Sequence, residues 1–422
     1  MLDIKFIREN PDAIKKDLKK RGDKEKFAWV DEIIAKDEEY RKLLQKVQDL
    51  RHKRNSISAD INKAKKEGKE IKAILEEGKK IPDKIKKNEE KTEKLVEEIK
   101  EKRMRLPNIL HASVPEGESE EENKVLREVG KKKKFDFELI SHGEWLEKKG
   151  QADFKRATKV SGAGFYFLKD KIAMLDFALQ KFALDKLYSK DYIVVEPPFM
   201  VRREPYEGVT DLADFENVMY KIDNDDLYLI ATSEHAIAAM HMNETFDSSE
   251  LPVKYAGISA CFRREIGSHG LDTKGLFRVH QFNKIEQFIF CKPSESWKLH
   301  EELLANAEEI FKELELPYRV VNICTGDIGI VAAKKYDMEV WMPREGKYRE
   351  VVSCSNCTSY QAVRLGIRYS EAGEKDYVHT LNSTAIATSR ALRAIIENYQ
   401  QKDGTVLIPK VLLKYMNGVK KI

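Results

Sequence analysis

Cysteine is scarce, with five in 422 residues. A chain this long does not rest on so few disulfide partners, so its stability has to come from buried apolar surface. Long apolar runs are missing too. No stretch of about 18 apolar residues occurs, which argues against a membrane-spanning helix. The start, MLDIKFIRENPD, carries charges where a signal peptide has its apolar segment. The expected location is the cytoplasm. The familiar phosphate-binding loops are also absent. There is no GxxxxGK[ST] and no GxGxxG after a strand; SGAGFYF near Gly162 is too short and runs into apolar, β-like residues. There is no HExxH, and His235 and His241, six apart, do not share a helix face. A nucleotide handled by this chain would have to be held by side chains on a sheet.

What is present is charge, at 35% of residues beside 41% hydrophobic, in a chain whose 422 residues are enough for two or three domains with a large core. The charge is uneven. Residues 1–110 hold 32 Lys and Arg against 24 Asp and Glu, and the remainder holds 44 against 48. A basic front on an acidic body suits an anionic partner for the front, although a solvated Lys/Glu helix surface has the same composition.

Between Lys26 and Leu106 there is one proline, Pro82, and two glycines, Gly68 and Gly78. Apolar residues recur at heptad spacing at Tyr40, Leu43, Val47, Leu50, Ile57, Ile61 and Ala64, with Arg54 at one inward position. A second series runs Ile71, Ile74, Ile81, Ile85, Leu95, Ile99 and Leu106, broken by Asn88 and Thr92. This spacing predicts an antiparallel coiled-coil hairpin that turns near Gly68. Pro82 is expected to kink the returning helix. Arg51, Lys53, Arg54, Lys63, Lys65, Lys66 and Lys69 form a ridge suited to a phosphate backbone, or the seam itself serves dimerisation. LPNILHASVPEG stops the helix. The expected division is an N-terminal domain at 1–110 with its arm at about 26–106, a linker at 111–135 and a body at 136–422.

The body alternates short β-branched runs with helical stretches, which predicts an α+β fold: an antiparallel sheet flanked by helices. One stretch stands out: CFRREIGSHGLDTKGLFRVHQFNKIEQF, from Cys261 to Phe288. ATP bent over a sheet needs an Arg fork at the α-phosphate, flat partners for the purine, an acceptor for its amino group and oxygen ligands for Mg²⁺. Arg263, Glu265, Arg278 and Phe282 supply the first three in one hairpin. Glu350 and Ser353, in REVVSCSNC, can hold the metal. Arg390 begins a helix and can cover the adenine.

These segments resemble a known family. FRRE followed by RVHQFNKIEQF is similar to the second signature motif of class II aminoacyl-tRNA synthetases. LNSTAIATSRALRAIIEN is similar to the third, and DKLYSKDYIVVEPPFM to the first. TSEHAI, EVVSCSNCTSYQAVR, LPNILHASVPEG and the arm resemble the seryl-tRNA synthetases of that class, and the likeness covers essentially the whole chain. The resemblance implies a homodimeric enzyme without a membrane partner. It would activate L-serine with ATP and Mg²⁺, then load tRNA(Ser), gripped by the basic arm, with tRNA(Sec) as an open second acceptor. It implies that Arg263 and Arg390 are catalytic. ATP would be held by Arg263, Arg264, Glu265, Arg278, Val279, Phe282, the segment Glu350, Val351, Val352 and Ser353, and Arg390. Serine would be held by Thr232, Ser233, Glu234, Arg263, Glu286 and Thr384, and the metal by Glu350 and Ser353. The third motif departs from the family at Ser383, Ala385 and Ser389, where glycines are usual. Cys354 and Cys357 form a lone CxxC without further ligands, so no zinc is expected. His269 and His280 are expected to have no catalytic task. Two other classes share such a fold: a relative that loads another acceptor, and an inactive binding protein. The arm argues against the first and the full charged set against the second.

Overall fold

The structure is a computed structural model that describes residues 1–67, 72–211, 217–265 and 275–422. The turn at Gly68, Lys69, Ile71 and His269 lie outside the described residues, as do the side chains of Ala64, Lys65 and Ile74. The chain forms two compact units, Leu2–Leu106 and Pro107–Ile422 with Met1.

The first unit is all helix. Short helices Ile4–Glu9 and Pro11–Lys20 precede two long ones, Phe27–Lys66 and Lys72–Arg105. The Asp3 carboxylate accepts from the Lys5 N–H at 2.7 Å and caps the first helix. Pro11 opens the second, where its missing N–H costs nothing. The 40-residue helix Phe27–Lys66 is about 60 Å long. Its apolar seam meets that of its partner: Val47, Ile57, Ile81 and Ile85 form a buried cluster with Leu50 and Ile61 packed on it. Leu95, Ile99 and Leu106 are buried as well. Interhelix ion pairs Glu32–Lys102, Lys36–Glu98 and Arg51–Glu89 (2.8, 2.6 and 2.7 Å) run in opposite chain order, which makes the pair antiparallel. A Cβ at Gly78 would lie 3.2 Å from Ile57, so the backbones approach closely there. Pro82 sits inside the returning helix. Of the basic ridge, Lys53, Arg54, Lys63 and Lys66 are exposed, while Arg51 is engaged by Glu89.

The second unit is built on an eight-stranded sheet. Its strands are β1 Lys124–Val129, β2 Ile193–Val195, β3 Val253–Phe262, β4 Gln281–Cys291, β5 Tyr318–Asn322, β6 Lys334–Met342, β7 Lys347–Asn356 and β8 His379–Ala387. Their order is β1-β5-β6-β7-β8-β4-β3-β2. All pairs are antiparallel except β2 with β3.

Period-two alternation sorts the side chains of β4. Ile285, Ile289 and Cys291 enter a large core under helices Asp170–Tyr188, Ser296–Glu313 and Thr388–Tyr399. Phe288 and Phe290 enter a smaller cluster on the other face with Ile237, Ala238 and Leu365. Each fully buried Leu, Ile or Phe in these cores contributes roughly 1.5–3 kcal/mol relative to exposure. Among the described residues no helix is long and apolar enough to cross a membrane.

Two register shifts break the alternation. On β7, Val352 pairs with Met338 but Glu350 pairs with Glu339, which leaves Val351 as the extra residue. On β8, Thr384 pairs with Glu286 but Ile386 pairs with Ile285, which leaves Ala385 extra. A bulge of one residue moves every later side chain to the other face of its strand. Glu350 therefore joins Ser353 and Ser355 on one face, and Ala387 joins Asn382 and Thr384.

Candidate active site

The face that these bulges re-aim is the floor of a cavity of about 410 Å³, all within the second unit. From β4 come Phe282, Lys284 and Glu286. From β8 come Asn382, Thr384 and Ala387, and from β7 come Glu350, Val351, Ser353 and Ser355. Arg263 enters from the end of β3 and Arg390 from helix Thr388–Tyr399. Thr232, Glu234 and His235 enter from the start of helix Ser233–Ala239.

That last helix is set close to the sheet. The Thr232 hydroxyl caps it, accepting from the Glu234 N–H at 3.3 Å. The Ser233 hydroxyl sits 3.5 Å from the Gly257 carbonyl, and a Cβ at Gly257 would lie 2.6 Å from the Ser233 Oγ. Glycine at this point of β3 lets the helix seat, and Gly257 pairs in register with Glu286.

Two carboxylates face one end of the cavity. Glu286 is 2% exposed, bonded to Lys284 at 2.5 Å and reached by the Thr384 hydroxyl at 3.5 Å. Glu234 Oε1 accepts from Gln361 at 2.9 Å and Asn382 at 3.1 Å. Burial, then the charge of Glu286, pushes Glu234 up to about 7; Gln361 and Lys284 offset part of this. Burial raises Glu286 as well, against Lys284. This end therefore holds negative charge at a cost that a bound cation would relieve.

Cations line the other end. The Arg263 side chain donates to the Ala231 carbonyl at 3.4 Å, and its guanidinium lies 5.2 Å from the Phe282 ring centre. Arg390 pairs with Glu350 at 2.9 Å and donates to its carbonyl at 3.0 Å. Enclosure raises Glu350, but Arg390, Lys335 and Arg263 outweigh it and keep the carboxylate ionised. Behind it, Asp337 pairs in register with Ser353 and is pushed up to about 7, chiefly by burial and against the pull of Lys335.

Ten of the residues expected from sequence line the cavity together: Thr232, Glu234, Arg263, Phe282, Glu286, Glu350, Val351, Ser353, Thr384 and Arg390. Six lie elsewhere. Arg264 is exposed, and its N–H donates to the Val218 carbonyl. Glu265 faces Arg278 at 3.6 Å outside the cavity lining. Val279 and Val352 are buried, as is Ser233. His280 is clamped by the Tyr220 hydroxyl at 2.6 Å and stacked on Phe165. Cys354 and Cys357 are buried thiols that burial pushes up, and Cys357 accepts from Asn382 at 3.7 Å. The three third-motif departures do not narrow the cavity. Ser383, Ala385 and Ser389 are buried, none lines it, and none has a positive φ that would call for glycine.

Lys284, Lys335 and Asn382 were missed from the sequence. Lys284 had a signal, since it alternates with Phe282 and Glu286 on one strand. Asn382 had the same signal, two positions from Thr384 in the third motif, and Lys335 had none.

The comparisons with known proteins agree with this geometry. Residues 1–110 match the model of the seryl-tRNA synthetase N-terminal domain, and residues 217–399 that of the class II tRNA synthetase core domain for G, H, P, S and T. The serine–tRNA ligase of Methanoregula boonei is 61% identical over 420 residues, spanning 99% of both chains. The crystal structure of seryl-tRNA synthetase from Pyrococcus horikoshii complexed with ATP is 52% identical. It superposes with a TM-score of 0.94 and covers 100% of this chain and 99% of its own. The cytoplasmic serine–tRNA ligase of Naegleria fowleri in complex with AMP is 38% identical, with a TM-score of 0.88 over 100% of this chain and 98% of its own. The chain belongs to the seryl-tRNA synthetase family of class II.

Proposed function

We propose that this chain is a cytoplasmic serine–tRNA ligase, which activates L-serine with ATP and passes the seryl group to tRNA(Ser). One observation carries this reading: a single cavity opposes a buried carboxylate pair with a hydroxyl (Glu234, Glu286 and Thr384) to an arginine-lined, aromatic end (Arg263, Phe282 and Arg390).

The serine ammonium sits between Glu234 and Glu286, and Thr384 and Glu286 receive its hydroxyl. Alanine leaves these polar groups unpaired, which is the stronger form of discrimination. Threonine has to be refused by lack of room for its methyl. The adenine stacks on Phe282, Arg390 closes over it, and Arg263 holds an α-phosphate oxygen. Glu265 and Arg278, outside the cavity lining, serve the amino group and the γ-phosphate at its rim.

A serine carboxylate oxygen attacks the α-phosphorus. The bond to the bridging oxygen breaks, and pyrophosphate leaves with the electron pair. No covalent enzyme intermediate is needed, so rate comes from alignment and from cations aimed at the phosphate charge. The terminal hydroxyl of tRNA then attacks the seryl carbonyl and AMP departs. Glu350 and Ser353 fit an Mg²⁺ ion arriving with the triphosphate: both are hard oxygen donors, and beside them Asp337 Oδ1 is buried with no hydrogen-bond partner. When bound, the ion neutralises phosphate charge. The exposed cations of the helical arm are the candidate track for the tRNA backbone.

A second copy is the expected partner at the first motif. Helix Asp170–Tyr188 and the segment after it leave Phe177, Tyr188 and Ile193 more than half exposed, with Met174, Phe199 and Met200 close to that.

The test is ATP–pyrophosphate exchange with serine, threonine, alanine and glycine. Serine-dependent exchange that falls at least about 100-fold in Arg263→Ala is the expected result. A protein that binds ATP but shows no exchange with serine would sink the reading.

A further inference from the structure

A buried cluster of His142, Arg393 and Glu397 sits behind the nucleotide end of the cavity. His142 opens the short helix His142–Lys148 and is 5% exposed. Its Nε2 accepts the backbone N–H of Leu276 at 3.0 Å. A ring nitrogen that accepts carries no proton, so the proton is on Nδ1. Nδ1 faces Glu397 Oε1 at 3.6 Å. The same oxygen accepts from Arg393 Nε at 3.0 Å, and Arg393 also bonds Glu345 on the turn before β7. Arg393 and Glu397 are 2% and 1% exposed.

The chain is built to reach this histidine. Gly275 has φ +132°, and a Cβ there would stand 2.1 Å from His142 Nε2. Glycine is the one residue that lets the backbone pass. Leu276 is fully buried, so its N–H has to find a protein acceptor. The next residue, Phe277, presents its ring to three guanidiniums: Arg393 at 4.5 Å, Arg390 at 5.2 Å and Arg349 at 5.9 Å. Burial raises Glu397, but His142 and Arg393 outweigh it and keep the carboxylate ionised.

Resting on the proposed ATP end of the cavity, we propose that His142 is a positioning residue for nucleotide binding. It acts through the Leu276 N–H and the Glu397–Arg393 pair, which together hold Phe277 against Arg390. It touches neither substrate. Its removal frees the second motif's return into β4, and with it Arg278 and Phe282, while the Glu234–Glu286 end keeps its own contacts.

The experiment uses the full chain and three variants: His142→Ala, His142→Gln and His142→Asn. ATP affinity is read by titration calorimetry, and the serine KM by exchange at saturating ATP. His142→Ala is expected to weaken ATP binding about tenfold, the order set by one lost buried hydrogen bond, with the serine KM within about twofold. Gln places an acceptor near the Nε2 position, whereas Asn restores only donation toward Glu397. Gln is therefore expected to recover most of the ATP affinity and Asn little of it. Equal loss on both substrates, unchanged ATP affinity, or rescue by Asn as good as by Gln would overturn the assignment. If His142→Ala does not fold, the Gln and Asn pair decides between the same outcomes. Absence of serine-dependent exchange in a wild type that binds ATP counts against the ligase reading alone, because the ATP titrations still read the role of His142.

Discussion

At the scale of single residues, the site is governed by what burial does to charge. Burial and Glu286 push Glu234 up to about 7, and the proposed contact with a serine ammonium needs its ionised form. Between pH 6 and pH 8 the ionised fraction rises from roughly a tenth to nine tenths, so the serine KM is expected to fall about tenfold over that interval. Exchange at saturating ATP measures it, and Glu234→Gln is expected to give a higher, flat profile. A wild-type profile as flat as that of the variant would remove Glu234 from the site. Stability runs the other way. The folded pKa is raised, so the contribution of this group is fully present below the ordinary carboxylate range and is lost as pH rises through 7. Thr232, Glu234, Glu286 and Thr384 were nominated by the family resemblance, whereas Arg263, Phe282, Glu350 and Arg390 were legible from the groups that a bent ATP needs. His142 was not, since its task depends on a backbone N–H 134 residues away. Arg264 and Arg278 look equivalent to Arg263 in sequence, yet only Arg263 lines the cavity.

At the scale of elements, the heptad spacing was readable because a long two-helix contact has one periodicity and few ways to satisfy it. The buried seam from Val47 to Ile99 follows it. The sheet was readable as a class, from alternation and short runs. The bulges at Val351 and Ala385 were not, because one added residue on one strand is defined only against its partner's register. Those bulges place Glu350 in the cavity. The arm has its own test. Deleting about Lys46 to Lys87 removes both halves of the hairpin together, so its remaining ends can still meet. Serine-dependent exchange is expected to survive within about twofold while tRNA charging is lost, as befits a phosphate-binding element. Equal loss of both activities would make the arm a requirement of the fold instead.

At the scale of the whole molecule, the exposed apolar side chains along helix Asp170–Tyr188 exceed what scattered surface residues explain. Phe177 is 63% exposed and has no polar atom to offer water. Phe177→Glu is expected to shift the protein in sedimentation equilibrium from twice the mass of one chain toward a single chain, with the helical circular dichroism unchanged. A wild type that sediments as one chain would end the dimer reading. The strand order has a further consequence. β8, near the end of the chain, lies in the middle of the sheet between β7 and β4. A ribosome that has made residues 1–378 has made most of the strands but not the one that joins them. Until β8 inserts, β7 and β4 present open backbone edges, the kind of surface on which chains pair with one another. A chain ending before His379 is therefore expected to aggregate rather than persist as a smaller soluble protein, which pelleting after expression would show. Synthesis of this protein has its most exposed moment just before its last strand emerges.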